Sequence, residues 1–160
     1  MRSFKYADER SRAAHLAELM FPMLDIMGQF NAIVPVPLHA DKLRRRGYNQ
    51  ALLLATAIGA HLDVPVQQML IRTRDTVSQV KLNRDERLAN LTGAFSLDPH
   101  WAPAPGARLL LVDDVRTTGS TLNACASQLV RTGPRRIAVA TLALDLPPRE
   151  LGAWLEEYGL

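Results

Sequence analysis

Apolar positions along the chain follow two spacings, one helical and one extended. In residues 8–20, Ala13, Leu16, Ala17 and Met20 recur every three or four positions, which predicts a helix with one buried face. Ala32-Ile-Val-Pro-Val-Pro37 reads as a short strand running into a loop that two prolines hold rigid. Residues 39–48 are basic and polar. Residues 49–62 predict a helix, apolar nearly all round through Ala51-Leu-Leu-Leu-Ala55 and therefore buried. Strands are expected at 66–71 and 92–97. Between them, residues 73–91 are charged and keep no steady apolar period, so a mobile excursion, partly helical near its end, is expected. Residues 98–106 hold three prolines and read as a surface loop. The apolar run 109–112 predicts a buried strand. The helical pattern beginning at Leu122 should stop at Thr132-Gly133-Pro134, where a glycine follows the helix and a proline prevents its renewal. A strand at 137–144 and a terminal helix at 147–158 complete the pattern.

Strands alternating with helices through the second half predict an α/β fold with a central, mostly parallel sheet flanked by helices. At 160 residues the chain is expected to form one domain, residues 1–160, whose first 30 residues are a helical part. The composition, 48% hydrophobic and 22% charged, is that of a soluble globular protein. A single cysteine, Cys125, excludes an internal disulfide framework and a cysteine-type zinc site, and its apolar neighbours suggest packing. Histidines 15, 39, 61 and 100 lack ligand-like spacing. The early apolar stretch is interrupted by Glu18, Pro22 and Asp25, so no membrane insertion is expected, and a cytoplasmic location is. A formal charge of +3 and a pI near 9.4 suit polyanionic ligands without demanding them.

The chemistry concentrates after residue 112. Two adjacent carboxylates, Asp113 and Asp114, stand at the carboxyl end of the expected strand, where ligands of open α/β sheets bind. Thr117-Thr118-Gly119-Ser120-Thr121 follows, a small hydroxyl-rich loop opening a helix whose dipole favours an anion. An extended backbone would point the two acids to opposite faces; a bent loop would set them side by side, able to chelate neighbouring hydroxyls. A sugar phosphate satisfies both halves, and helix capping is the plainer alternative. The chain has no Gly-Lys pair and no G-x-G-x-x-G, so neither a Walker loop nor a dinucleotide fingerprint is present.

Val112-Asp-Asp-Val-Arg-Thr-Thr-Gly-Ser-Thr121 closely resembles the phosphoribosyl-pyrophosphate (PRPP) signature of type I phosphoribosyltransferases. Val34-Pro-Val-Pro-Leu38, Arg44-Arg-Arg-Gly-Tyr-Asn-Gln50, Gln79, Arg87-Leu-Ala-Asn90 and Gly93-Ala-Phe95, in that order, resemble the ComF family of competence-associated proteins; the resemblance covers roughly residues 4–144. It implies the type I phosphoribosyltransferase fold. It implies that Asp113 and Asp114 bind the ribose hydroxyls and act on the reacting ring, and that Arg116, Thr117, Thr118, Gly119, Ser120 and Thr121 hold the 5-phosphate. Pyrophosphate would meet Pro35, Val36 and Pro37, often through an unusual peptide bond, together with Arg44 and Arg46. The excursion would be the flexible loop that closes over the reacting centre, with Lys81, Arg84 and Arg87 among its cations. Magnesium would be the cofactor, held mainly through PRPP with no direct protein ligand. The resemblance further implies a DNA-uptake helicase as partner and, by analogy, a homo-oligomer. Family members usually carry a cysteine-rich zinc-binding segment ahead of the point where this sequence begins, and the sequence includes none. Transfer of the phosphoribosyl group to a nitrogen acceptor is the enzymatic reading, yet the sequence offers no evident general base. Two rivals stand beside it: an adaptor that binds PRPP or a nucleotide without turnover, and a single-stranded DNA-binding module using Lys42 and residues 44–46. With aromatics at 6%, the chain offers few stacking platforms for the latter.

Overall fold

Leu109, Leu110, Leu111 and Val112 are all fully buried, so the strand that carries them is covered on both faces. Only an interior strand of a layered sheet meets that condition. The computed structural model describes residues 10–74, 93–101 and 103–145, and the terminal helix expected at 147–158 lies outside them. In chain order the described elements are α1 (Arg10–Glu18), α2 (Phe21–Ile26), β1 (Ala32–Pro35), α3 (Ala40–Arg46), α4 (Gln50–Leu62), β2 (Leu70–Arg72), β3 (Phe95–Leu97), β4 (Arg108–Arg116), α5 (Ser120–Val130) and β5 (Arg136–Leu144).

β4 lies between β1 and β5, and both pairings are parallel, with Val34 opposite Leu111 and Leu111 opposite Val139. Beyond β1 the sheet gains one further parallel bridge: Ile33 N–H donates to Pro65 O at 2.9 Å, and Gln67 N–H donates to Ile33 O at 2.8 Å. Alternation along β4 divides the core in two. Leu109 and Leu111 pack with Val34, Met69, Phe95, Cys125 and Leu129, under α5 and the antiparallel β2–β3 ribbon. Leu110 and Val112 pack with Ala17, Leu24, Ile33, Leu54 and Ile58, under α1, α2 and α4. Each fully buried aliphatic side chain contributes about 1.5–3 kcal/mol, so both helical layers are held chiefly by apolar burial. Gly59 lets α4 press against the chain that follows it: a Cβ there would stand 2.8 Å from Val64 O and 2.8 Å from Val66 Cγ2.

Several expectations change. The strand expected at 66–71 splits, because Val66 bridges to β1 while Leu70–Arg72 leaves the sheet to pair with β3. Residues 40–46 form a helix, closed by Gly47 at φ +75°. The apolar early stretch contains a second short helix, α2. The helix expected from Leu122 starts two residues earlier, at Ser120. Among the described residues no peptide bond is cis, so the loop after β1 has ordinary trans bonds. No helix among them is long and apolar enough to cross a membrane.

Candidate functional site

A cavity of about 290 Å³ opens at the carboxyl end of β4, bounded by residues 113–117, 119–122 and Asp145. β4 does not end at the acidic pair. β5 keeps pairing with it, Asp113 opposite Thr141 and Arg116 opposite Leu144. The acids therefore belong to an extended strand, and the side-by-side arrangement on a bent loop is corrected. Asp113 continues the face of Leu109 and Leu111, and Asp114 that of Leu110 and Val112. Asp114 N–H donates to Asp113 Oδ1 at 2.9 Å, and Val115 N–H donates to Asp114 Oδ1 at 3.0 Å, so the next peptide steadies each carboxylate. Both line the same cavity because it wraps around the strand end.

The turn from β4 into α5 depends on Gly119, which precedes the helix at φ +77°, a conformation that costs other residues about 1–2 kcal/mol. Thr118 Oγ1 lies 2.8 Å from Ser120 Oγ and accepts a long 3.4 Å bond from Ser120 N–H. Arg116 folds back over this turn, its Nε 3.5 Å from where a Gly119 Cβ would stand. The loop thus combines hydroxyls, a helix start and one guanidinium, the ingredients of an anion site.

The prolines after β1 lie beside the acidic pair. Pro35 is opposite Val112, and Val36 N–H donates to Val112 O at 2.9 Å. Pro35 and Pro37 have no N–H, and the amide of Val36 is already engaged, so residues 35–37 have no free backbone donor for pyrophosphate. Val36 O accepts from Asn49 Nδ2 at 3.0 Å, while Asn49 Oδ1 accepts from Ala51 N–H at 3.1 Å and caps α4. Next to it, Gln50 is buried and its Nε2 has no hydrogen-bond partner.

Arg44 and Arg46 do not bound the cavity. They occupy the last turn of α3, where positive charge complements the helix dipole, and exposed Arg44 pairs with Asp41 one turn back. Lys81, Arg84 and Arg87 lie outside the described residues, as does the excursion beyond Arg74. Its mouth is closed by Thr73, which donates its N–H to Ala94 O at 2.9 Å and its hydroxyl to Gly93 O at 3.0 Å. Cys125 is fully buried beneath the Asp113 face. Burial first, and the negative charge of Asp113 second, push its thiol well above the usual range, against the opposing pull of Arg72. It is a packing residue, as its apolar neighbours suggested. Among the described residues no group of three or more His, Cys, Asp or Glu could hold a metal ion.

Sequence reasoning missed Asp145, which lines the cavity. The signal for Asp145 was available in principle: an acid directly after β5, the strand beside β4.

The phosphoribosyl transferase domain family matches residues 49–152. Competence protein F of Haemophilus influenzae is 43% identical over 113 residues, which are 70% of this chain and 49% of that protein. DNA utilization protein YhgH of Escherichia coli is 37% identical over 115 residues, 71% of this chain and 49% of that one. Competence protein ComFC of Bacillus subtilis is 37% identical over 101 residues, 63% and 39% respectively. The chain thus spans about half the length of the first two relatives, and less of the third. Among solved structures, glutamine PRPP amidotransferase from B. subtilis, complexed with ADP and GMP, superposes with a TM-score of 0.59 at 14% identity, covering 88% of this chain and 30% of that one. Identity that low speaks for shared fold alone.

Proposed function

The chain belongs to the phosphoribosyl transferase domain family, among its competence and DNA-utilization proteins, and on that premise we propose that it binds PRPP in the cavity at the end of β4 and transfers the phosphoribosyl group to a nitrogen acceptor. Its fold is the type I phosphoribosyltransferase fold. One observation carries the proposal: a single cavity joins the acidic pair of β4 to the hydroxyl loop and first turn of α5.

Each part answers a part of the ligand. The 5-phosphate belongs on residues 117–121, where the helix dipole and the Arg116 guanidinium oppose its charge. The ribose hydroxyls belong on Asp113 and Asp114, whose negative charge also favours the cationic ring that develops as the anomeric bond lengthens. Pyrophosphate belongs on the β1 side, beside residues 35–37. Magnesium fits this donor set as an ion carried by the ligand, since an acidic pair beside a phosphate loop suits a cation that keeps most of its oxygen ligands from phosphate and water. Bound there, it would neutralise charge on the departing pyrophosphate. The helicase partnership and the role in DNA uptake are extended to this chain from its family, as part of the same proposal.

Calorimetry with PRPP and magnesium is the test. The wild type should bind, and Asp113→Asn combined with Asp114→Asn should abolish binding; equal binding by both would refute the site. Pyrophosphate release with nitrogen compounds then separates transfer from the adaptor role, since binding without release would leave a PRPP-responsive adaptor.

A further inference from the structure

The described wall of the cavity comes from the stretch that runs from β4 into α5, residues 113–117 and 119–122, with a single addition from elsewhere, Asp145. Its backbone N–H donates to Arg116 O at 2.8 Å, which carries the β4–β5 ladder one step past Leu144. That bond fixes the residue beside the start of the hydroxyl loop. Thr141 and Ala143 lie opposite Asp113 and Val115, so the same alternation sends the Asp145 side chain to the Asp113 face. Asp145 is exposed, and no described side chain pairs with its carboxylate.

The strand order determines which side of the ribose this is. β1 and β5 flank β4, each about 4.8 Å from it. On the PRPP reading proposed above, the leaving group takes the β1 side, where residues 35–37 emerge beside Val112. Displacement at the anomeric carbon needs the incoming atom aligned opposite the departing one. The nucleophile therefore enters from the β5 side, and Asp145 stands there. Charge narrows the class of nucleophile. With Asp113 and Asp114 already present, a third carboxylate near a phosphorylated ligand is repulsive unless N–H hydrogens or positive charge face it.

We infer that Asp145 is the acceptor-binding residue, and that it selects a nitrogen nucleophile presenting N–H hydrogens, an amine or an amino-bearing base, over one carrying a carboxylate. This rests on the PRPP reading given above. The nitrogen lone pair forms the bond to the anomeric carbon, and the bond from that carbon to the pyrophosphate oxygen breaks with its electrons leaving on pyrophosphate. The N–H proton passes to the Asp145 carboxylate and from there to water. The exposure of Asp145 gives the proton its exit.

The test uses the full chain as wild type, Asp145→Asn and Asp145→Arg. Its probes are ammonia, adenine, cytosine and guanine on one side, and the carboxylated rings nicotinate and orotate on the other. Pyrophosphate release is measured with PRPP and magnesium, and probe binding by ligand-observed NMR with ribose 5-phosphate present. The wild type should use or bind at least one N–H probe and neither carboxylated ring. Asp145→Asn should weaken that N–H probe by about 10- to 100-fold, the cost of losing a charged hydrogen-bond acceptor, with the loss in acceptor KM rather than in PRPP affinity. Asp145→Arg should turn the preference towards nicotinate or orotate. If no N–H probe binds or reacts with the wild type, if Asp145→Asn treats the probes as the wild type does, or if its main loss is in PRPP affinity, the inference is overturned. A wild type that fails to bind PRPP at all would overturn the underlying reading, and this inference with it. A wild type that binds PRPP while the acceptor arms fail would overturn only the role of Asp145.

Discussion

Asn49 donates its side-chain amide to the carbonyl of Val36 at 3.0 Å and accepts the N–H of Ala51 at 3.1 Å, so one residue ties the loop after β1 to the start of α4. Because Val36 in turn donates its N–H to Val112, three separate segments meet beside the acidic pair. Asn49→Ala should cost about 1–2 kcal/mol in urea unfolding, through lost capping and an unmet carbonyl. Asn49→Asp keeps the cap acceptor and loses the amide donor. It should fall between wild type and alanine in stability, while both variants weaken PRPP binding.

Asp113 and Asp114 leave opposite faces of β4 and should not be interchangeable. Singly, Asp113→Asn and Asp114→Asn should each lower PRPP affinity by at least about tenfold, the cost of one charge-assisted hydrogen bond. Thermal unfolding should separate them. Asp113 raises the pKa of the buried Cys125 thiol, so above about pH 8.5 its replacement should alter the pH dependence of unfolding. Identical binding and pH profiles for the two variants would contradict the extended backbone.

Gly119→Ala should destabilise by about 1–2 kcal/mol, because alanine resists a φ of +77°. The nearest atom to the added methyl would be Arg116 Nε at 3.5 Å, an ordinary contact, so the effect is conformational rather than steric. Gly119→Asn, which tolerates this region better, should recover part of both stability and phosphate binding.

Gln50→Leu should leave stability unchanged or raise it by about 1 kcal/mol, since it removes a buried amide donor that has no partner. If pyrophosphate oxygens meet that donor, the same variant should lose pyrophosphate affinity. A gain in unfolding free energy together with weaker pyrophosphate binding in calorimetry is the expected combination.

The Cys125 thiol should resist thiol reagents in the folded chain and react on unfolding. Its folded-state pKa is raised, first by burial and then by Asp113. Above about pH 8.5 an unfolded thiol begins to lose its proton while the folded one keeps it. Stability should therefore be unaffected by this group below that pH and fall above it, by up to about 1.4 kcal/mol per pH unit. Cys125→Ala should remove that dependence when urea midpoints are compared between pH 8.5 and 10.

The sequence showed most clearly where burial is extreme. β4, α4 and β5 were legible because their apolar runs leave few other solutions, and the hydroxyl loop was legible because little else needs that composition. α3 was not: Leu43 is its one apolar residue beyond Ala40, so no face announces a helix, and its ends are set by the His39 cap and the turn at Gly47. The strand expected at 66–71 failed because Val66 and Leu70 serve different sheets, a division decided by long-range pairing. Within the candidate site, the acidic pair and hydroxyl loop share one cavity, Arg44 and Arg46 are not among the residues that bound it, and the Val36 amide is hydrogen-bonded to Val112. Asp145 directly follows β5 in the sequence, but its arrival at the cavity depends on β5 lying beside β4, which is a fact of topology.

The full burial of residues 109–112 turns β4 into a ruler. The leucines cannot shift, so the count of residues after them decides which face each acid takes. One residue inserted before Asp113 would exchange the addresses of the two carboxylates without changing a single side chain in the cavity, and a second insertion would restore the faces while moving both acids about 7 Å outward. Spacing between Leu111 and the hydroxyl loop is therefore under stricter constraint than the identity of any one of the small residues within it.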